Sequence, residues 1–98
     1  MRALRFLTSF DQDLEELWYH IARDNSPAAD HVVAMIRDRC TILAEHPRAG
    51  PARLDLADDC RHLVCGNHLV LYRVLPDRVE LVRVLDGRRR LSPDMLAH

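Results

Sequence analysis

Residues 60–85 read CRHLVCGNHLVLYRVLPDRVELVRVL, and the period of this stretch decides the fold. Apolar and polar side chains alternate, with two interruptions. Gly66-Asn67 has the composition of a two-residue hairpin turn, and Pro76-Asp77 cannot continue a central strand. The segment is therefore predicted to be a three-stranded antiparallel meander with strands at Arg61–Cys65, His68–Leu75 and Arg78–Leu85. Pairing Cys65 with His68 and Val74 with Val79 sends Arg61, Leu63, Val70, Tyr72, Val74, Leu81 and Arg83 to one face. His62, Val64, Leu69, Leu71, Arg73, Glu80, Val82 and Val84 go to the other. This second face is the more uniformly apolar and is expected to meet the helices. Both faces carry more apolar residues than an exposed sheet, so other chain is expected to cover the first. Arg73 falls opposite Glu80, which predicts a cross-strand ion pair.

Upstream of the meander the period is helical. Arg2–Thr8 reads as a short strand, and Ser9-Phe10-Asp11-Gln12 has the pattern of a capping box. Leu14, Leu17, Trp18 and Ile21 then recur at helical spacing as a core stripe, with Asp13, Glu15, Glu16 and Arg23 elsewhere around the cylinder. Asn25-Ser26-Pro27 ends this helix and starts the next, with Ser26 as the expected cap. Ala29, Val32, Val33, Ile36, Cys40 and Leu43 draw a second stripe. Two helices joined so tightly form an antiparallel hairpin. A linker at Pro47–Asp59 leads into the sheet. The expected architecture is α+β in one domain, residues 1–98: N-terminal strand, antiparallel helical hairpin, antiparallel β-meander.

The chain of 98 residues is too short for two domains. Its net charge of −1 argues against a broad basic nucleic-acid surface, but the charge is unevenly spread. Residues 1–60 hold 7 Arg against 11 acidic residues, while residues 61–98 hold 7 Arg against 4. The back half suits an anionic or acidic partner. Every basic residue is Arg. Cys40, Cys60 and Cys65 form no C-x-x-C pair and no zinc-like spacing with His, so they read as reduced, packed thiols, and neither a metal nor a cofactor is expected. No apolar run approaches a membrane span and the start lacks a secretory signal, which makes the cytoplasm the expected location.

Four stretches in order carry a more specific likeness. Leu43-Ala44-Glu45-His46-Pro47-Arg48-Ala49-Gly50, Cys60-Arg61-His62-Leu63-Val64, Gly66-Asn67-His68-Leu69-Val70-Leu71-Tyr72-Arg73-Val74 and Val82-Arg83-Val84-Leu85-Asp86-Gly87-Arg88 closely resemble the ParE branch of the RelE/ParE toxin superfamily. The likeness covers essentially the whole chain. It departs at Asp86, where the pattern commonly has His, and at Arg90, where it often has an acid. The resemblance implies the toxin of a type II toxin-antitoxin, plasmid-stabilisation module, in complex with a cognate antitoxin, that poisons DNA gyrase by binding. Relatives in the RelE branch instead cut messenger RNA on the ribosome.

Metal-free RNA cleavage needs a base, an acid and cations to steady the phosphorane. After Arg90 this chain has no Tyr, and its only His there is His98. No catalytic residue is therefore assigned. The residues expected to bind antitoxin or target are Arg61, Leu63, Tyr72, Arg73, Arg83, Arg88, Arg89 and Arg90. An apolar groove rimmed by Arg61 and Arg83 would receive an amphipathic, acidic antitoxin segment. The alternative, a ribosome-dependent ribonuclease, would place Arg61, Arg73, Arg83 and Arg88 on phosphate and use His68 or His98 for proton transfer.

Overall fold

Gly66 takes φ 61° at the first central position of the tight turn, the position a II′ hairpin reserves for glycine. That turn sets the register of the hairpin it closes. In the computed structural model, which describes residues 1–97, β2 (Cys60–Cys65) pairs antiparallel with β3 (His68–Val74), and β3 with β4 (Arg78–Asp86). Cys65 lies opposite His68, Val74 opposite Val79 and Arg73 opposite Glu80, as the turns predict. A fourth strand, β1 (Ala3–Phe6), pairs parallel with β4, giving the order β1-β4-β3-β2. Only four residues long, β1 lies at the sheet's edge. The expected strand to Thr8 stops early because Thr8 already begins a helix.

The helices are α1 (Thr8–Ala22) and α2 (Ser26–Cys40), the latter followed by a 3-10 turn at Thr41–Ala44. Trp18 Nε1 donates to Asp30 at 2.8 Å, and Arg37 pairs with Asp11 at 2.8 Å. Late α1 thus meets early α2 and the reverse, which makes the hairpin antiparallel. Both caps differ from expectation. Ser9 Oγ donates to the Val82 carbonyl at 2.6 Å, so α1, with Leu7 in the N-cap position, has no side-chain cap. Asn25, one residue before Ser26, caps α2 by accepting from Ala28 N at 3.0 Å.

The face assignment is reversed. Phe10, Leu14, Ile36, Cys40 and Leu43 of the helical layer pack on Leu63, Val70, Tyr72 and Leu81, the face that was expected to lack helix cover. Counting apolar residues misled because the helical face carries the largest one, Tyr72, whose hydroxyl is satisfied by backbone rather than by water. It donates to Pro47 O at 2.8 Å and accepts from Gly50 N at 3.0 Å. The outer face, with His62, Arg73 and Glu80 among its residues, is covered instead by the linker and the C-terminal segment. Leu56 and Met95 pack there on Cys60, Leu71 and Leu85, with Leu91 and Leu96 against them.

A β-bulge completes the correction. Tyr72 pairs with Leu81 but Leu71 pairs with Arg83, leaving Val82 as the extra residue. One unpaired residue reverses the alternation downstream. Val84 accordingly joins the helical core and Arg83 leaves that face, opposite to the strict period.

Candidate binding groove

Because β1 ends at Phe6, opposite Leu81, the rest of β4 has no strand beside it on that edge. Unpaired backbone groups of an edge need partners. The start of α1 supplies them. Leu7 N donates to Leu81 O at 3.0 Å, Ser9 reaches Val82 O, and Val84 N donates to Asp13 Oδ2 at 2.9 Å. Arg83, turned aside by the bulge, closes on the same carboxylate with Nε at 2.7 Å and Nη2 at 3.2 Å. Asp13 raises the Arg83 pKa through these bonds. Helix α1 is thereby fastened alongside the open edge of β4.

Beyond this fastening a groove of about 940 Å³ opens between helix and sheet. It is lined on the outer face of the sheet by the row Val64, Leu69 and Leu85, cross-strand partners on β2, β3 and β4, and on the helical face by Leu17 and Val84, so it takes in both sides of the open β4 edge. Leu85 is buried under the C-terminal segment, whereas Val64 at the other end of the row is 52% exposed. One wall is α1, presenting Glu16 and His20. The other is the turn after β4, presenting Arg88 and Arg89. That turn is held by Asp86, which accepts from Arg88 N at 2.9 Å and meets the Arg88 guanidinium at 3.4 Å. The backbone N–H first, and the guanidinium second, keep the Asp86 carboxyl below the usual range. The Arg88 side chain itself stays 93% exposed. His68, registered with Asp86, also lines the groove, and the His20 ring nitrogen Nδ1 lies 2.9 Å from Arg23.

The eight residues chosen from the sequence divide three ways. Arg83, Arg88 and Arg89 come together in the groove, and Arg90 follows on the exposed chain beside it. Leu63 and Tyr72 are core residues on the helical face, which the helices cover. Arg61 and Arg73 sit by the linker: Arg61 donates to Gly50 O at 2.7 Å, and Arg73 makes two bonds of 2.9 Å to Asp59. The expected Arg73–Glu80 ion pair is thus replaced by Arg73–Asp59, and Glu80 pairs with Arg78 at 3.2 Å. His98 lies outside the described residues. Sequence reasoning missed Glu16, His20, Val64 and Leu69. The signal was present in part, because Asp13, Glu16 and His20 recur at i, i+3 and i+7, one polar stripe of α1.

The sequence profile described as ParE toxin of type II toxin-antitoxin system, parDE, matches residues 4–91. Toxin ParE1 of Caulobacter vibrioides is 31% identical over 86 residues, which is 87% of this chain and 88% of that one. A solved structure described as a chromosomal ParDE TA system from P. aeruginosa superposes with a TM-score of 0.77 at 19% identity, covering 88% of this chain and 96% of the other. At that identity it supports the fold, and the fold agrees: strand, helical hairpin and meander in the same architecture. The profile and the Caulobacter relative together place the protein among the ParE family of type II toxin-antitoxin toxins, to which this chain belongs.

Proposed function

We propose that this ParE-type toxin arrests growth by binding DNA gyrase, makes and breaks no covalent bond itself, and is neutralised in the cytoplasm by a cognate antitoxin. The observation that carries the reading is the state of its arginines. Arg73 is occupied by Asp59, Arg83 by Asp13 and Arg61 by the Gly50 carbonyl, while the Tyr72 hydroxyl is spent inside the core. A phosphate-cleaving site would need such groups free to follow charge as it develops. Arg88 also meets a carboxylate, Asp86 at 3.4 Å, but its side chain stays 93% exposed, and Arg89 and Arg90 beside it are exposed too, which suits adhesion to an acidic protein surface. The P. aeruginosa relative is described as a ParDE toxin-antitoxin system, which supports a protein antitoxin as the second partner.

The test is a supercoiling assay with purified toxin and gyrase, with and without the antitoxin. Inhibition of supercoiling that the antitoxin relieves is expected. Supercoiling left untouched by excess toxin, while translating ribosomes yield cut messenger, would replace this reading with the ribonuclease one.

A further inference from the structure

We propose that Cys40 and Cys65 form a dithiol that a hydroperoxide oxidises to an intrachain disulfide, stapling the end of α2 to the end of β2. All three cysteines are free and buried, and they divide by face. Cys60 lies on the outer face among Leu56, Leu71 and Met95, with its thiol directed at Arg61 O at 3.7 Å. Cys65, an odd number of residues further along β2, points to the helical face, where Cys40 closes α2 in the same core cluster. There the two side chains are hydrogen-bonded to each other, and Cys65 Sγ also faces Leu63 O at 3.9 Å. The bond has a direction. Cys40 donates, which together with burial makes its own thiol hard to ionise, and which draws the Cys65 thiol below its ordinary value against burial, with the Arg39 charge assisting. Cys65 is therefore the nucleophile and Cys40 the resolving thiol.

With hydrogen peroxide the Cys65 thiolate attacks one oxygen, the O–O bond breaks, and the departing hydroxide takes up the proton that Cys65 released, leaving a sulfenic acid. The Cys40 sulfur then attacks the Cys65 sulfur, the S–O bond breaks, and water departs as the S–S bond forms. Two thiols and one peroxide thus give one disulfide and two waters, the thiols being oxidised and the peroxide reduced. Cys40 and Cys65 are 0% and 1% exposed, so the first step waits on a local opening, and the second, between neighbours, outruns further oxidation. The bond closes a loop over residues 41–64 that contains the whole linker, so it ties the helical layer to the sheet around the segment anchored by Tyr72. Whatever the toxin binds, its oxidised form would outlast the reduced one against unfolding and proteolysis.

The experiment treats the full chain with hydrogen peroxide, once folded and once in urea, caps the remaining thiols with iodoacetamide after unfolding, and maps the tryptic peptides. Cleavage after arginine puts the three cysteines in separate peptides, residues 40–48, 54–61 and 62–73. Oxidation of the folded chain is expected to join 40–48 to 62–73 and to leave 54–61 capped. In urea the ranking should reverse, because the loop between Cys60 and Cys65 is much the shorter and closes about tenfold more readily. Oxidation should raise Tm by roughly 10–20 °C, and dithiothreitol should return it to its starting value. Cys60→Ala should keep both the cross-link and the shift, and Cys40→Ala should lose both. A cross-link in the folded chain that includes Cys60, one between two chains, or sulfinic acid at Cys65 in place of a cross-link overturns the proposal. So does a folded chain left unreacted under conditions that oxidise the chain in urea, or a Tm that stays or falls on oxidation.

Discussion

Asp13 and Asp11 make nearly identical ion pairs by distance and should differ several-fold in worth. Asp13 meets Arg83 at 2.7 Å with side-chain exposures of 13% and 23%, and Asp11 meets Arg37 at 2.8 Å with exposures of 49% and 45%. Asp13 also accepts from Val84 N at 2.9 Å, the amide that β1 leaves unpaired. Replacing Asp13 by Ala therefore removes a charge-assisted fork and strands both a half-buried guanidinium and a strand amide. Charged hydrogen bonds contribute about 1.5–3 kcal/mol and an orphaned buried donor costs about 1–3, so Asp13→Ala should cost about 3–5 kcal/mol. In a domain of total stability about 5–15 kcal/mol this corresponds to a fall in Tm of roughly 15–30 °C. Asp11→Ala should cost under about 1 kcal/mol, because water competes for both partners. The assay is a pair of double-mutant cycles by urea denaturation, Asp13→Ala with Arg83→Met and Asp11→Ala with Arg37→Met. A coupling of about 1.5–3 kcal/mol is expected for the first and under about 0.5 for the second. Equal couplings, or an Asp13→Ala cost below about 1 kcal/mol, would refute the claim that α1 is fastened to β4 through this carboxylate.

Two further outcomes follow from the linker and its anchor. Tyr72→Phe keeps the ring but leaves Gly50 N–H, in a buried residue, without its acceptor, so urea unfolding should report a loss of about 1–3 kcal/mol at unchanged m-value, with faster amide exchange at Gly50. A loss under about 0.5 kcal/mol would mean the linker is held by other contacts. His62 is held below its ordinary pKa of 6.5, first by burial and second by the nearby Arg53, with Asp55 opposing. The folded state therefore binds that proton less well than the unfolded chain. The His62 contribution is complete above the unfolded value and lost as pH falls through 6.5 toward the folded one. Stability against urea measured between neutral and mildly acidic pH should decline, and His62→Gln should flatten part of that slope. An unchanged slope in the variant would refute the assignment.

The meander was legible because its turns are local chemistry. Gly66 had to supply a positive φ, and Pro76 could not sit inside a strand, so the register next to each turn followed from composition. The parallel pairing of β1 with β4 was not legible, since it joins residues more than seventy positions apart and β1 is only Ala3–Phe6. Capping failed in an instructive way. Ser9 has the right sequence context for a cap, but the Val82 carbonyl, exposed by the end of β1, is a competing acceptor that only the tertiary fold brings near.

The groove was hidden by a different cause, and one residue carries most of it. Strict alternation from the Val74–Val79 pair puts Arg83 on the same face as Leu81, and from there a cationic rim over an apolar face follows directly. The bulge at Val82 breaks that inference at its last step: Val84 goes to the helical core and Arg83 swings to Asp13. A bulge adds a residue without changing composition, so a binary pattern registers it only as one more apolar position in an apolar run. The outcome is functional as well as geometric. Had the period held, Arg83 would stand free for phosphate or partner; because it does not hold, the carboxylate takes Arg83 and the exposed cations of the groove reduce to Arg88 and Arg89. The charge available to a partner is thus set less by how many arginines the back half contains than by which of them the fold has already neutralised.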